Sequence, residues 1–221
     1  MEEVLSSCAS PRLIEVSPHD LLRIESVDDL SQSPPAWVYT SLKRACWVVV
    51  RRSFPREGMA PVGVRGTSRD QRFAAYLSRE AILECVTPEE LVSRLAWMKN
   101  GRREEIPPIR ALDLVGRIMP EFGLQWGPSG SVGFEIATGL PTAAMNSDLD
   151  LVIRAPNKLS RDLCRRLCNR LADELPVRTD VLIETGAGAI ALAEYVRGDL
   201  PILFRSAAGP KLVDRPWHIA G

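Results

Sequence analysis

Apolar positions along this chain follow two periods, and the alternation between them maps a set of elements. Trp47-Val-Val-Val-Arg51 is a β-branched run and predicts a buried strand. Pro61-Val-Gly-Val64 predicts a partner for it, beyond a loop at 55–59. Residues 36–45 and 68–77 have helical character. Thr87-Pro-Glu-Glu90 carries three helix-start cues: Thr87 as cap, Pro88 at the first helical position and Glu90 closing a capping box. That helix is expected to run to about Met98.

In the second half, helix and strand alternate. Leu112, Val115 and Met119 stand at helical spacing and predict a helix over 109–122. Gly127-Pro-Ser-Gly-Ser131 predicts a turn, and Asp148-Leu-Asp-Leu-Val-Ile153 a strand. Ser160 is the expected cap of a helix with the stripe Leu163, Leu167, Leu171 and Leu175. A strand over 177–184, a short helix over 189–196 and a short strand over 201–204 follow. The fold class is α+β, with a mixed sheet flanked by helices in the C-terminal part. Residues 99–108 are polar and end in Pro107-Pro108, so they are read as a linker between domains at 1–98 and 109–221.

Composition narrows the partners. The 221 residues carry 28 basic and 28 acidic side chains, with a pI near 6.8. Proteins that grip long nucleic acids need a basic excess, so no nucleic acid partner is expected, while a small anionic substrate needs only a local basic patch. No run reaches the roughly 18 apolar residues of a membrane span, and Met1-Glu2-Glu3-Val4 lacks a secretory leader pattern. The five cysteines are odd in number and sparse, and His19 and His218 lie near opposite ends, which argues against zinc. Cys164 and Cys168 read as buried thiols, and the whole fits the reducing cytoplasm.

The chemistry concentrates in Gly130-Ser131 and Ser147-Asp148-Leu149-Asp150-Leu151. Side chains two apart on a strand share a face. Asp148 and Asp150 are therefore expected to project together, with Leu149 and Leu151 in the core. Two carboxylates this close repel unless a cation sits between them, and hard oxygen ligands suit Mg²⁺. A Gly-Ser turn opening a helix offers backbone N–H groups and a hydroxyl to phosphate. Asp180 is the expected third metal-binding carboxylate, with Glu184 in reserve. An Asp-x-Asp pair alone is more often a solvated strand end; order, context and the downstream acid together favour a metal site. Arg65, Arg69 and Arg72 belong to a basic segment and are expected to meet substrate phosphates, Arg69 and Arg72 from one helix face. The bland reading of these arginines is a solvated face. Lys211 is a further phosphate candidate, though a surface lysine is the commoner case. The tryptophans read as core, and neither histidine has a visible partner.

These motifs resemble the DNA polymerase beta-like nucleotidyltransferase superfamily. The longer string from Gly130 to Leu151, with Thr138-Gly-Leu-Pro141, is similar to the MdcG family of malonate decarboxylase holo-acyl-carrier-protein synthases. So are Pro61-Val-Gly-Val-Arg-Gly66 in the first half and Gly209-Pro-Lys-Leu212 in the second. The resemblance implies a nucleotidyltransferase-like C-terminal domain with Asp148 and Asp150 as its active-site aspartates. It implies triphosphoribosyl-dephospho-CoA as donor, a serine of the malonate decarboxylase acyl-carrier subunit as acceptor, and release of pyrophosphate. Another hydroxyl acceptor, or a non-catalytic binding module on the same fold, are the rival readings.

Overall fold

The computed structural model describes residues 14–68 and 70–219. The first half builds a five-stranded antiparallel sheet from β1 (Leu21–Arg23), β2 (Trp47–Val50), β3 (Met59–Arg65), β4 (Arg72–Ser78) and β5 (Glu84–Val86), in the order β4-β3-β2-β1-β5. The period of two in β3 turns Ala60, Val62 and Val64 to one side, where α1 (Ala36–Arg44) covers them with Val38 and Leu42. The β-branched run is β2, and β3 is its partner, as the pattern predicts.

The helical reading of 68–77 is overturned. From Arg72 onward this segment is β4, paired with β3 along its whole length, from Met59–Ser78 to Arg65–Arg72. Ala74-Ala75 favours a helix locally. Pairing along β3, burial of Ala75 and Leu77, and the strand preference of Phe73 and Tyr76 outweigh it. Arg72 therefore stands on a strand, opposite Arg65, and not on a helix face; Arg69 lies outside the described residues.

Thr87 and Glu90 form the expected capping box of α2 (Pro88–Ser93), with Thr87 Oγ1 accepting from Glu90 N at 3.1 Å and Glu90 Oε2 from Thr87 N at 2.9 Å. The helix stops short of Met98. Leu95 takes a left-handed φ of 46°, and a 3-10 turn over Ala96–Lys99 sends Trp97 into the second core. There the indole Nε1 donates to Asp113 at 2.9 Å. Residues 99–108, read as a linker, are packed onto the second half: Arg102 bonds Glu135, Arg103 pairs with Asp113, and Ile106 is buried. Arg102 and Arg103 are thus tied to the second half, while Lys99, Glu104 and Glu105 stay exposed.

The second sheet runs β11-β10-β9-β8-β7-β6, from β6 (Gln125–Pro128), β7 (Leu149–Arg154), β8 (Thr179–Glu184), β9 (Ala189–Ala191), β10 (Ile202–Ser206) and β11 (Gly209–Val213). Only β7 and β8 are parallel, joined through α5 (Arg161–Glu174); the sheet is mixed, and the two-sheet α+β class holds. One face is covered by Leu112 and Val115 of α3 (Pro107–Ile118) and by Cys164, Leu167 and Leu171 of α5, packed on Leu149, Leu151 and Ile153. Two further helices are α4 (Gly130–Thr138) and α6 (Leu192–Arg197). The predicted helix over 189–196 begins with β9, because Ala189 fills a ladder position between Glu184 and Arg205. No helix among the described residues is long and apolar enough to cross a membrane.

The two halves meet through a small apolar cluster, Leu21, Val86 and Leu91 against Phe134, Ile136 and Ala137 of α4. At Gly127 the contact is so close that a methyl group would overlap the backbone of Pro88. Polar contacts cross the same junction: Arg154 donates to Asp20 from Nη2 at 3.1 Å and to Glu89 from Nε at 3.0 Å, and Arg52 and His19 both meet Glu184.

Candidate active site

The parallel ladder sets Asp150 directly opposite Asp180, and Leu149 opposite Thr179. Adjacent strands lie roughly 4.8 Å apart, so the two carboxylates leave neighbouring strands side by side. Asp148 precedes β7 and shares the face of Asp150, two residues on. Leu149 and Leu151 point the other way into the core, as the alternation predicts. Asp148 and Asp150 are half-buried and Asp180 is exposed.

Burial pushes the Asp150 carboxyl above the usual aspartate range, and the charges of Asp180 and Asp148 push it further; Arg65 and His19 pull it back down. The site thus holds negative charge that its neighbours offset only in part. Arg178 lies loosely across it, with Nε 3.9 Å from Asp148 and Nη2 3.5 Å from Asp180. Among the described residues no three Asp, Glu, His or Cys side chains are gathered as a ready-made metal cage. The donor chemistry still fits a hard divalent cation: three carboxylates at one strand end, half-buried or exposed, with charge left over.

Gly130 opens α4 at a φ of +60°, and a methyl group there would overlap the Asp150 carboxylate. Only glycine allows this approach. Ser129 N donates to the Asp150 carbonyl at 2.8 Å, which ties the helix start to β7. The Ser129 side chain makes no cap, so the first N–H groups of α4 are left for another acceptor beside Asp150. Ser131 is the second residue of this turn.

The loop from Gly139 to Asp148 hangs on Glu135, a buried acid of α4. Glu135 accepts Arg102 Nη1 on both oxygens at 3.0 Å, and Oε2 also accepts Thr142 N and Ala143 N at 2.8 Å. Arg102 Nη2 reaches the Ala143 carbonyl at 3.2 Å, and Thr142 Oγ1 donates to Ser131 O at 2.8 Å. One buried carboxylate therefore shapes the chain that enters β7.

Arg65 of β3 lies near enough for its charge to reach Asp150. Arg65 and Arg72 are ladder partners at the end of β3 and β4, both exposed. Two like charges so placed repel unless an anion sits between them. Of the other arginines in that segment, Arg51 and Arg56 lie over the Tyr76 ring and Arg52 is bound to Glu184.

Comparison with known proteins adds the family. Residues 17–88 match the family model described as phosphoribosyl-dephospho-CoA transferase MdcG N-terminal domain, and residues 94–216 the one described as its C-terminal domain. The chain belongs to the MdcG family. It is 40% identical to the phosphoribosyl-dephospho-CoA transferase of Azotobacter vinelandii, over 91% of this chain and 94% of that one. It is 38% identical to that of Klebsiella pneumoniae (91% and 96%) and 36% identical to that of Pseudomonas aeruginosa (92% and 94%). No solved structure matches.

Within this MdcG chain, some sequence candidates come together and others do not. Asp148, Asp150, Asp180, Gly130 and Ser131 share one end of the β7–β8 pair, with Arg65 near enough for its charge to act on Asp150. Glu184, the reserve carboxylate, is committed elsewhere. Burial pushes it up, but hydrogen bonds and charge from His19 and Arg52 outweigh this and hold it below the usual range. Lys211 stands on β11, three strands from β8, with its ammonium over Phe204. Trp97 and Trp126 are core residues, as read, and Trp217 packs edge-on against Tyr195. Sequence reasoning missed Glu135, Arg102 and His19. The signal for Glu135 was a lone charge in an apolar helix, Val132-Gly-Phe-Glu-Ile-Ala137; for the other two there was none.

Proposed function

We propose that this chain transfers the phosphoribosyl-dephospho-CoA group from triphosphoribosyl-dephospho-CoA to a serine of the malonate decarboxylase acyl-carrier subunit, in the cytoplasm. The serine oxygen bonds to the α-phosphorus, the bond from that phosphorus to the β-phosphate oxygen breaks, pyrophosphate leaves, and the hydroxyl proton is released. The observation that carries the reading is the set of three aspartates, Asp148, Asp150 and Asp180, beside an uncapped helix start on a mixed sheet.

In this reading Asp148, Asp150 and Asp180 hold Mg²⁺, which supplies charge stabilisation to the phosphates and acidifies the incoming hydroxyl. The residues of the chain do the positioning. Gly130 lets the backbone come against Asp150, and the N–H groups at the start of α4 with the Ser131 hydroxyl hold a donor phosphate. Arg65 and Arg72 meet the triphosphate from the first half, as planar forks suited to phosphate. Arg65→Ala should raise the KM for the donor.

The test is intact-protein mass spectrometry of the apo acyl-carrier subunit incubated with this protein, the donor and Mg²⁺. A gain equal to the phosphoribosyl-dephospho-CoA group, lost with EDTA and in Asp148→Ala and Asp150→Ala, supports the reading. No gain with folded protein and a competent carrier ends it. A gain that survives both variants keeps the reaction and moves the active site.

A further inference from the structure

His19 stands at the domain junction in a conformation that needs explaining. Its φ is 79°, in the left-handed region, which costs a non-glycine residue on the order of 1–3 kcal/mol unless its surroundings enforce it. Two bonds enforce it: the backbone N–H donates to Val50 O at 2.9 Å, and Nε2 meets Glu184 Oε1 at 3.0 Å. The next residue, Asp20, takes Arg154. Arg154 and Glu184 are ladder partners on β7 and β8. Two consecutive residues of the first domain thus grip two registered residues of the second.

Joining the domains does not account for the ring. Glu184 already has a cation in Arg52, so a second partner is not needed to bury that one carboxylate. The His19 side chain keeps 22% of its surface exposed. Its Nδ1 edge has no hydrogen-bond partner among the described residues. Glu184 lies on the same face of β8 as Asp180, four residues away, so the ring stands along the face that carries the aspartates, where the first half meets β8. It lies near enough to Asp150 to bear on that carboxyl, as Arg65 does. Arg65 and its ladder partner Arg72 put fixed positive charge on the first half, and that of Arg65 reaches Asp150.

We infer that His19 is a substrate-binding residue whose free ring edge contacts a phosphate of a polyphosphate ligand bound along this face. The inference rests on the proposed reaction for the identity of that ligand, the donor triphosphate. When both ring nitrogens carry protons, both donate, Nε2 to Glu184 and Nδ1 to phosphate oxygen. Glu184 fixes the ring plane, and Arg52 fixes Glu184.

The chain has two histidines, His19 and His218, which makes a direct reading practical. Imidazole ¹⁵N signals are recorded in the full-length protein, assigned with a His218→Gln variant, and titrated with inorganic triphosphate. The His19 Nδ1 signal should shift saturably while His218 stays still. His19→Gln should weaken triphosphate binding by calorimetry about tenfold; the glutamine amide reaches the position of imidazole Nε2 and can still donate to Glu184, while nothing replaces the Nδ1 edge. Absence of triphosphate binding, a silent His19 signal at saturation, or equal binding by a folded His19→Gln protein would overturn the inference. Under turnover, a higher donor KM with an unchanged acceptor KM separates phosphate contact from a purely structural role. If triphosphate shifts His19 yet no carrier modification occurs, the binding role stands and the proposed reaction falls.

Discussion

Replacing Glu135 by glutamine tests whether one buried charge organises the loop into the site. The carboxylate accepts four hydrogen bonds, two from Arg102 and one each from the Thr142 and Ala143 amides, and keeps 1% of its surface exposed. Glutamine keeps the shape but offers one acceptor oxygen and turns an NH₂ toward a donor, whichever way it is flipped. A bond to a charged group is worth roughly 1 kcal/mol more than a neutral one. Three surviving bonds each lose about that much, and the fourth becomes a donor facing a guanidinium. The sum, about 3–4 kcal/mol, sits beside the 3–5 kcal/mol typical of breaking a buried pair. At this chain length 1 kcal/mol moves Tm by about 2–4 °C, so Glu135→Gln should lower it by about 6–16 °C. Hydrogen exchange should find the Thr142 and Ala143 amides exposed. A fall below about 2 °C with both amides still protected would refute the account, since the bonds would then be neither strong nor specific to the ionised acid.

Three further outcomes follow from the same geometry. Gly130→Ala puts a methyl group into Asp150 at a positive φ; carrier modification should fall at least a hundredfold, and near-normal turnover would show that α4 can shift away. Burial lifts Asp20 to about 6, against the pull of Ser17 N and Arg154. The folded protein therefore binds that proton more readily than the unfolded chain. The stability it adds is present below the ordinary value of about 4 and lost as pH climbs to about 6. Thermal midpoints of wild type relative to Asp20→Asn should drop across that window, and a flat difference would contradict it. Burial lifts the Cys85 thiol to about 12 and Cys164 to about 11. Both should resist iodoacetamide in the native protein at pH 7.5 while the unfolded chain labels fully, as read by peptide mass mapping.

What was legible in the sequence was what is local. The β-branched run of β2, the capping box of α2 and the Ser160 cap of α5 each involve residues within four positions, and each forms as read. Segment 72–78 failed because its strand state is decided by β3, not by its own alanines. The three-residue strands β1 and β5 carry too few positions to show a period. The edge strand β11 begins Gly209-Pro210 and buries almost nothing, so no apolar pattern marks it.

The site divides along the same line. That Asp148 and Asp150 share a face follows from the strand period alone, and Gly130-Ser131 needs only a turn and a helix start. The residues that fix the surroundings are paired at a distance: Arg102 with Glu135 across 33 positions, Arg154 with Asp20 across 134, His19 with Glu184 across 165. Each of these is an ordinary charge in a polar stretch until the domains meet, so composition cannot separate it from a solvated one. The consequence is physical. A carboxylate pair alone needs one strand, but a cleft with a cationic wall needs two domains held in register. In this chain the grip that holds that register is shared by the apolar cluster around Leu91 and Phe134, the packing of Gly127 on Pro88, and the pairs of Asp20 with Arg154 and of Arg52 and His19 with Glu184. A variant that loosens the grip should therefore leave the aspartates where they are and weaken only what the first domain contributes, the hold on the polyphosphate.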